Sequence, residues 1–489
     1  MKYLVLFYLN IQILSAQYYC KFNAEQKDIY KSIIELDLSE ASIKLKNCKD
    51  YKINLATILL EDYIDFFQLF IFEKESDYIR LIDHKKERLQ QIKIAKISEE
   101  WSLYLQSEIL LHWSLIHLKR NENWKAFTCV NEAFEKLNSC NKYYPQFIYS
   151  KKSLGILHTL LSTIPEELDW ATKLIGLTGD LEKGKKELSE FIYYASERDD
   201  IFQTEAKAAF AFIKSYLDNQ SKQASQYWNK EMINKSANPL LSMVSIKLFI
   251  RAGENKKAQM EVNKLSFAQK CKLPYLFFLS GILKLQDLNY GCDQDFFKFL
   301  ELYKGKNYIK EAYQKLAWTA LLKGSIPKYQ YYMKKCFEDG ELITDEDVQA
   351  QNEAMKKIIP DRQLLKARLL CDGANYNRAY HLLFIRIGEY YESGLRLECA
   401  YRMGRICQLN NKSREALSYF QDALEADQDK KSYMSCSAML YSAYILEELG
   451  EKSEACQYYS KTLDIKPDQY SRSLHQKAKT GQLRLSCIN

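Results

Sequence analysis

Two adjoining stretches decide the fold. LECAYRMGRICQLNNKSREALSYFQDALEAD runs from Leu397 to Asp427, and CSAMLYSAYILEELGEKSEACQYYSKTLDIKPD runs from Cys436 to Asp468. Ala416 and Ala455 stand 39 residues apart, and at the same offset Gly404 answers Ala443 and Phe420 answers Tyr459. Ala423 follows in the first copy and Pro467 closes the second. Small residues at fixed places in two successive helical patterns let a first helix, A, lie close against a second, B. Each copy therefore reads as a helical hairpin.

Hairpins of this size and spacing resemble the tetratricopeptide repeat, whose standard length is about 34 residues, so the loop here carries roughly five more. The implied fold class is all-α, a tetratricopeptide-type helical-hairpin solenoid with room for two or more packed lobes. The chain of 489 residues has only 7 Pro and 16 Gly. Average usage would give roughly 24 and 34, so helices should be long and turns short. Apolar content of 47% with 27% charge suits an ordered globular chain.

Further hairpins are weaker. Ile33 to Leu45 fits one, with Ala41 in the small slot. Trp101 to Leu118 pairs with Trp124 to Leu137 through Ala126 and Ala133. Others span Leu241 to Leu265 (Gly253, Ala258), Ala312 to Cys336 (Gly324) and Leu364 to Arg386 (Gly373, Ala379). Leu55 to Phe72 is apolar but carries Glu61, Asp62 and Asp65, which are costly in lipid, so it reads as a buried solenoid helix. Gly155, Pro165, Gly176, Gly179 and Gly184 break the pattern between Leu154 and Glu190, and Asp180 is placed to cap a helix. An acidic zone from Glu338 to Pro360 reads as a loop and short helix between lobes. The expected sections are a leader at 1–16, N-terminal hairpins at 17–150, a central region at 151–340 and C-terminal repeats at 341–489.

The N-terminus has Met1-Lys2, an apolar run from Tyr3 to Leu14, then Ser15-Ala16-Gln17. This is the pattern of a secretory signal peptide cleaved after Ala16, too short to span a membrane comfortably. It implies a periplasmic or secreted protein with no transmembrane segment in the mature chain. The alternative makes Met1 to Ala16 a packed helix and the chain a cytoplasmic adaptor. The 13 scattered Cys form no CxxC pair, which keeps both locations open. The net charge of +7 is interspersed with acids, so no nucleic-acid partner is expected. The 36 Tyr fit either an AT-rich genome or an aromatic binding groove.

The segment with Gly155, Leu161-Ser162, Pro165, Leu174, Gly176, Gly179-Asp180 and Gly184 resembles the tetratricopeptide-repeat protein 39 family, which includes an inclusion-body clearance protein. Glu398, Tyr401-Arg402, Gly404 and the run from Tyr470 to Leu474-His475 add to the likeness. The resemblance implies a non-catalytic adaptor. Its eukaryotic members lack a leader like Met1 to Ala16, so the chain looks more like a bacterial exported relative.

No Gly-rich phosphate loop, HExxH, GxSxG or calcium loop occurs, so no catalytic residue, cofactor or metal is expected. Glu108 and His112 share a helix face and suggest a structural hydrogen bond. As the repeat resemblance implies, the helix-A positions facing the concave side are Tyr401 and Arg405 in the first clear repeat. In the second they are Tyr444, Glu447 and Glu448. Such residues suit a protein or peptide partner, unless an adjoining helix covers them. A helical protein binding a glycan or small ligand is the other reading.

Overall fold

In four hairpins the stop falls on a residue that accepts a left-handed backbone. Asn121 (φ 60°), Gly324 (φ 94°), Asn411 (φ 58°) and Gly450 (φ 81°) each close a hairpin. Gly has no Cβ to clash there, and Asn tolerates the conformation. The hairpins are Glu99–Lys119 with Asn123–Tyr143, Ile309–Leu322 with Ile326–Glu338, Arg396–Leu409 with Ser413–Ala426, and Tyr433–Glu448 with Lys452–Asp464. Between Arg362–Asp372 and Tyr376–Phe384 the left-handed residue is Ala374 (φ 57°) rather than the neighbouring Gly373. Gly373 is used differently: a Cβ there would lie 2.9 Å from the Gln286 carbonyl.

The computed structural model describes residues 18–162, 179–232, 236–427, 431–467 and 469–487. The expected leader, and Pro165, Leu174 and Gly176 of the breaker segment, lie outside the described residues. Within them the chain is all-helical, with one isolated bridge, Tyr19 to Asn54, and no strand. No described helix is long and apolar enough to cross a membrane. Contacts gather the chain into two units. Among the described residues, unit 1 holds 18–162, 179–232, 236–252, 260–276 and 301–307; unit 2 holds 253–259, 277–300, 308–427, 431–467 and 469–487.

In unit 1 the helix Glu99–Lys119 packs on both Asn123–Tyr143 and Ala56–Phe72. Trp113 and Tyr104 are fully buried on it, and Ala126 and Ala133 fill the small slots. The acids of Ala56–Phe72 are paired inside the protein. Asp62 accepts from Arg88 (3.2 Å) and from the indole of Trp113 (3.2 Å), and Asp65 accepts from Arg88 at 2.5 Å. The breaker segment makes a close crossing between Tyr149–Leu161 and Leu181–Arg198. A Cβ on Gly155 would sit 2.8 Å from the Gly184 carbonyl oxygen, and one on Gly184 would sit 2.6 Å from that of Gly155. Asp180 caps the second of these helices by accepting from the Lys183 amide at 2.9 Å.

In unit 2 the two clear repeats become helices A1 (Arg396–Leu409), B1 (Ser413–Ala426), A2 (Tyr433–Glu448) and B2 (Lys452–Asp464), followed by a capping helix, Ser471–Leu485. Gly404, Ala416, Phe420, Ala423, Ala443, Ala455 and Tyr459 are all buried. The A1–B1 contact is tight: a Cβ on Gly404 would lie 2.5 Å from the ring of Phe420, which has no exposed surface to retreat into. Gly404→Ala should therefore cost about 1–3 kcal/mol as an overpacked core. Thermal melts would check this, and an unchanged melting temperature would contradict the packing.

The acidic zone after Glu338 forms a regular helix, Asp345–Lys356, inside unit 2, with Thr344 as its N-cap. Its buried Asp347 accepts from the amides of Tyr308 (2.7 Å) and Glu311 (3.0 Å), satisfying the start of Ile309–Leu322. That local use explains a charge cluster which in the sequence looks like a linker.

The capping helix lies on A2 and B2, its Leu474 and Ala478 joining the core of Cys436, Leu440, Ala443 and Tyr459. A disulfide between Cys456 on B2 and Cys487 just past the capping helix ties the two together, with Cα atoms 5.6 Å apart.

Candidate functional site

Successive helices of unit 2 present rows of residues at one-turn spacing to a common groove. Arg368 and Asp372 come from Arg362–Asp372, and Tyr401, Arg405 and Leu409 from A1. Tyr433, Ser437 and Tyr441 come from A2, and Tyr470, Ser473 and Lys477 from the start of the capping helix. Residues four apart share a helix face, so each row follows directly from the helical repeat. The groove encloses about 330 Å³.

Its floor is aromatic. The rings of Tyr401 and Tyr433 are 6.4 Å apart at 75°, and those of Tyr433 and Tyr470 are 5.4 Å apart at 72°. Arg405 lies over the ring of Tyr441, its Cζ 3.8 Å from the centroid, with a further bond to Gln408. Arg402 donates through Nε to Glu398 at 2.8 Å, and Arg368 stacks on Trp318 at 4.7 Å. Burial pushes the Tyr401 hydroxyl well above its ordinary range, so it stays a neutral donor at any physiological pH. Arg402 is paired with Glu398 and Arg368 lies 3.9 Å from Asp372, so Arg405 and Lys477 supply the spare positive charge of the lining, and the surface favours anionic or neutral polar chains carrying apolar side chains.

The chain is similar to tetratricopeptide-repeat proteins. No family model matches it, and no curated protein matches it. Among solved structures, a tetratricopeptide repeat protein from Parabacteroides merdae is 14% identical, with 64% of this chain and 96% of that chain covered and a TM-score of 0.24. The Cut9–Hcn1 hetero-tetramer of APC/C is 13% identical, with 96% of this chain and 91% of that chain covered and a TM-score of 0.30.

Of the concave-face residues expected in this tetratricopeptide-type array, Tyr401 and Arg405 line the groove together. Tyr444, Glu447 and Glu448 do not line it. Tyr444 packs into the A2–B2 core, 5.9 Å from the ring of Tyr459. Glu447 accepts two bonds from Arg484 of the capping helix, at 2.5 and 2.7 Å, and one from the Tyr459 hydroxyl at 2.5 Å. The Arg484 guanidinium holds the Glu447 carboxyl below the usual carboxylate range. Glu448 is exposed. The groove row on A2 is instead Tyr433, Ser437 and Tyr441. The two-turn spacing of Tyr433 and Tyr441 on A2 was the available signal, whereas Lys477 had none.

The expected Glu108–His112 bond does not form. Glu108 accepts from Lys152 at 2.6 Å and bonds Ser153, while His112 Nδ1 bonds Asp62 at 2.7 Å. Partners from other helices take both groups. Three further histidines are also bonded to acids, His84 to Asp65 (2.7 Å), His117 to Glu122 (2.6 Å) and His158 to Glu187 (2.6 Å), whereas His475 bonds the Ile465 carbonyl at 2.8 Å. Among the described residues no cluster of three or more His, Cys, Asp or Glu has the arrangement of a metal site.

Proposed function

We propose that the chain is a non-catalytic protein-interaction scaffold whose unit 2 groove holds an extended segment of a partner, acidic and bearing apolar or aromatic side chains. The observation that carries this reading is the meeting of Tyr401, Tyr433, Tyr441 and Tyr470 with Arg405, Arg402, Arg368 and Lys477 on one concave face. Aromatic rings supply rigid contact area, and guanidinium groups supply directed bonds to carboxylates, so a preformed face of this kind binds with little ordering cost. The likeness of Gly155, Gly184 and Gly404 to the tetratricopeptide-repeat protein 39 pattern supports an adaptor role.

Export through the Met1 to Ala16 leader, to a periplasmic or extracellular site, belongs to the same proposal. The Cys456–Cys487 bond supports it, since disulfides persist in oxidising compartments. A cytoplasmic adaptor of the same fold is the alternative.

The test is a library of short peptides of graded charge and aromatic content, read by fluorescence anisotropy with the full chain. Acidic aromatic peptides should bind best, and Tyr401→Ala or Arg405→Ala should each weaken them about tenfold, a loss of about 1.4 kcal/mol. Basic peptides binding as well as acidic ones, or binding indifferent to both substitutions, would sink the reading.

A further inference from the structure

Unit 1 contains a second concavity, about 760 Å³ in volume, that the groove reading does not use. Its wall is aromatic: Tyr30, Tyr63, Phe66 and Phe67 line it. The Tyr63 ring stands 4.4 Å from the His112 ring, and Phe66 stacks on His112 at 4.7 Å.

Two acceptors meet in this wall. Glu205 belongs to a buried network in which one lysine serves two carboxylates. Lys152 (1% exposed) donates to Glu108 at 2.6 Å and to Glu205 at 2.7 Å, leaving one net negative charge. Glu205 is the member that reaches the cleft, 31% exposed. Its Oε2 accepts from the hydroxyls of Tyr63 (2.7 Å) and Tyr30 (3.1 Å), so of about four lone-pair sites on the carboxylate three are used. Burial opposes its ionisation, but Lys152 outweighs this and keeps the carboxyl below its ordinary range.

The second acceptor is His112, 8% exposed. Its Nδ1 bonds the Asp62 carboxylate at 2.7 Å, so in the neutral ring the proton sits on that nitrogen and Nε2 is the acceptor, in a residue lining the cleft. The rim carries Lys27, paired with Asp199 at 3.6 Å, and the exposed Lys31.

We propose that this cleft binds a protonated primary or secondary amine carried on an apolar body, the ammonium N–H groups donating to Glu205 and His112 Nε2. Aromatic faces attract a cation and cover its hydrocarbon, and the spare carboxylate charge neutralises it. An alcohol would lack the charge, and a carboxylate would meet Glu205 with like sign.

Calorimetric titration of the full chain with 2-phenylethylamine, 2-phenylethanol and 3-phenylpropionate tests this. The amine should bind at least tenfold tighter than the alcohol, and the carboxylate weakest. Glu205→Gln should remove most of the amine preference. Leu115→Trp, at a 41% exposed position on the cleft wall outside the charge network, should block the amine even if Glu205→Gln fails to fold. Equal binding of the three probes, preference for the carboxylate, or no amine binding at millimolar concentration would overturn the proposal.

Discussion

Lys152→Met is expected to destabilise unit 1 by about 3–5 kcal/mol, because it strands a buried Glu108 and the charge of Glu205 without their shared cation. The lysine and Glu108 are almost wholly enclosed, so water has little access to the stranded Glu108. Burial without a partner raises a carboxyl above its unfolded value, and the neutral acid is then the form that the folded state prefers. The sign for the variant follows. Its deficit is greatest at neutral pH and shrinks as pH falls and the stranded carboxyls take up protons. Urea unfolding of wild type and variant at pH 7 and pH 5 would measure both effects. A deficit under about 1 kcal/mol, or one that grows on acidification, would show that the network is not what holds these helices together.

The second large effect concerns Cys456 and Cys487, which close a loop with a sequence separation of 31. On the chain-entropy account, a loop of that length is worth about 3–4 kcal/mol. Cys487→Ser should lower the stability of the capping helix by that order. Hydrogen exchange should then show lost protection from Ser471 to Leu485, with A1 and B1 little changed. Because Tyr470 and Lys477 belong to the groove, peptide binding should weaken along with the helix. Unchanged protection in the variant would mean that Leu474, Ala478 and Arg484 hold the cap without the covalent tie.

The hairpins were legible because their signal is local. Gly404 and Ala416, or Ala443 and Ala455, mark where two neighbouring helices touch, and a fixed offset along the chain places them. Tyr401 and Arg405 were legible for the same reason, being one turn apart on one helix. Tyr444 and Glu447 fall outside the groove for different reasons: Tyr444 packs on Tyr459 in the A2–B2 core, and Glu447 is taken by Arg484, 37 residues beyond it on a helix that no repeat pattern announces. The cleft in unit 1 left no trace in the sequence. Tyr30, Tyr63, His112 and Glu205 come from four separate helices, and the one nearby spacing that stood out, Glu108 to His112, pairs elsewhere. Cysteine pairing was equally silent, since 11 other cysteines are free and only the folded geometry selects two.

A stack of hairpins held mainly by nearest neighbours ordinarily frays from its ends, where a repeat has a neighbour on one side only. The covalent tie between B2 and the end of the capping helix changes which end is vulnerable. In the oxidised protein the capping helix cannot peel away from B2 alone, so the two must open together. Reduction would restore the loose end, making the direction in which the array unravels a property of its surroundings.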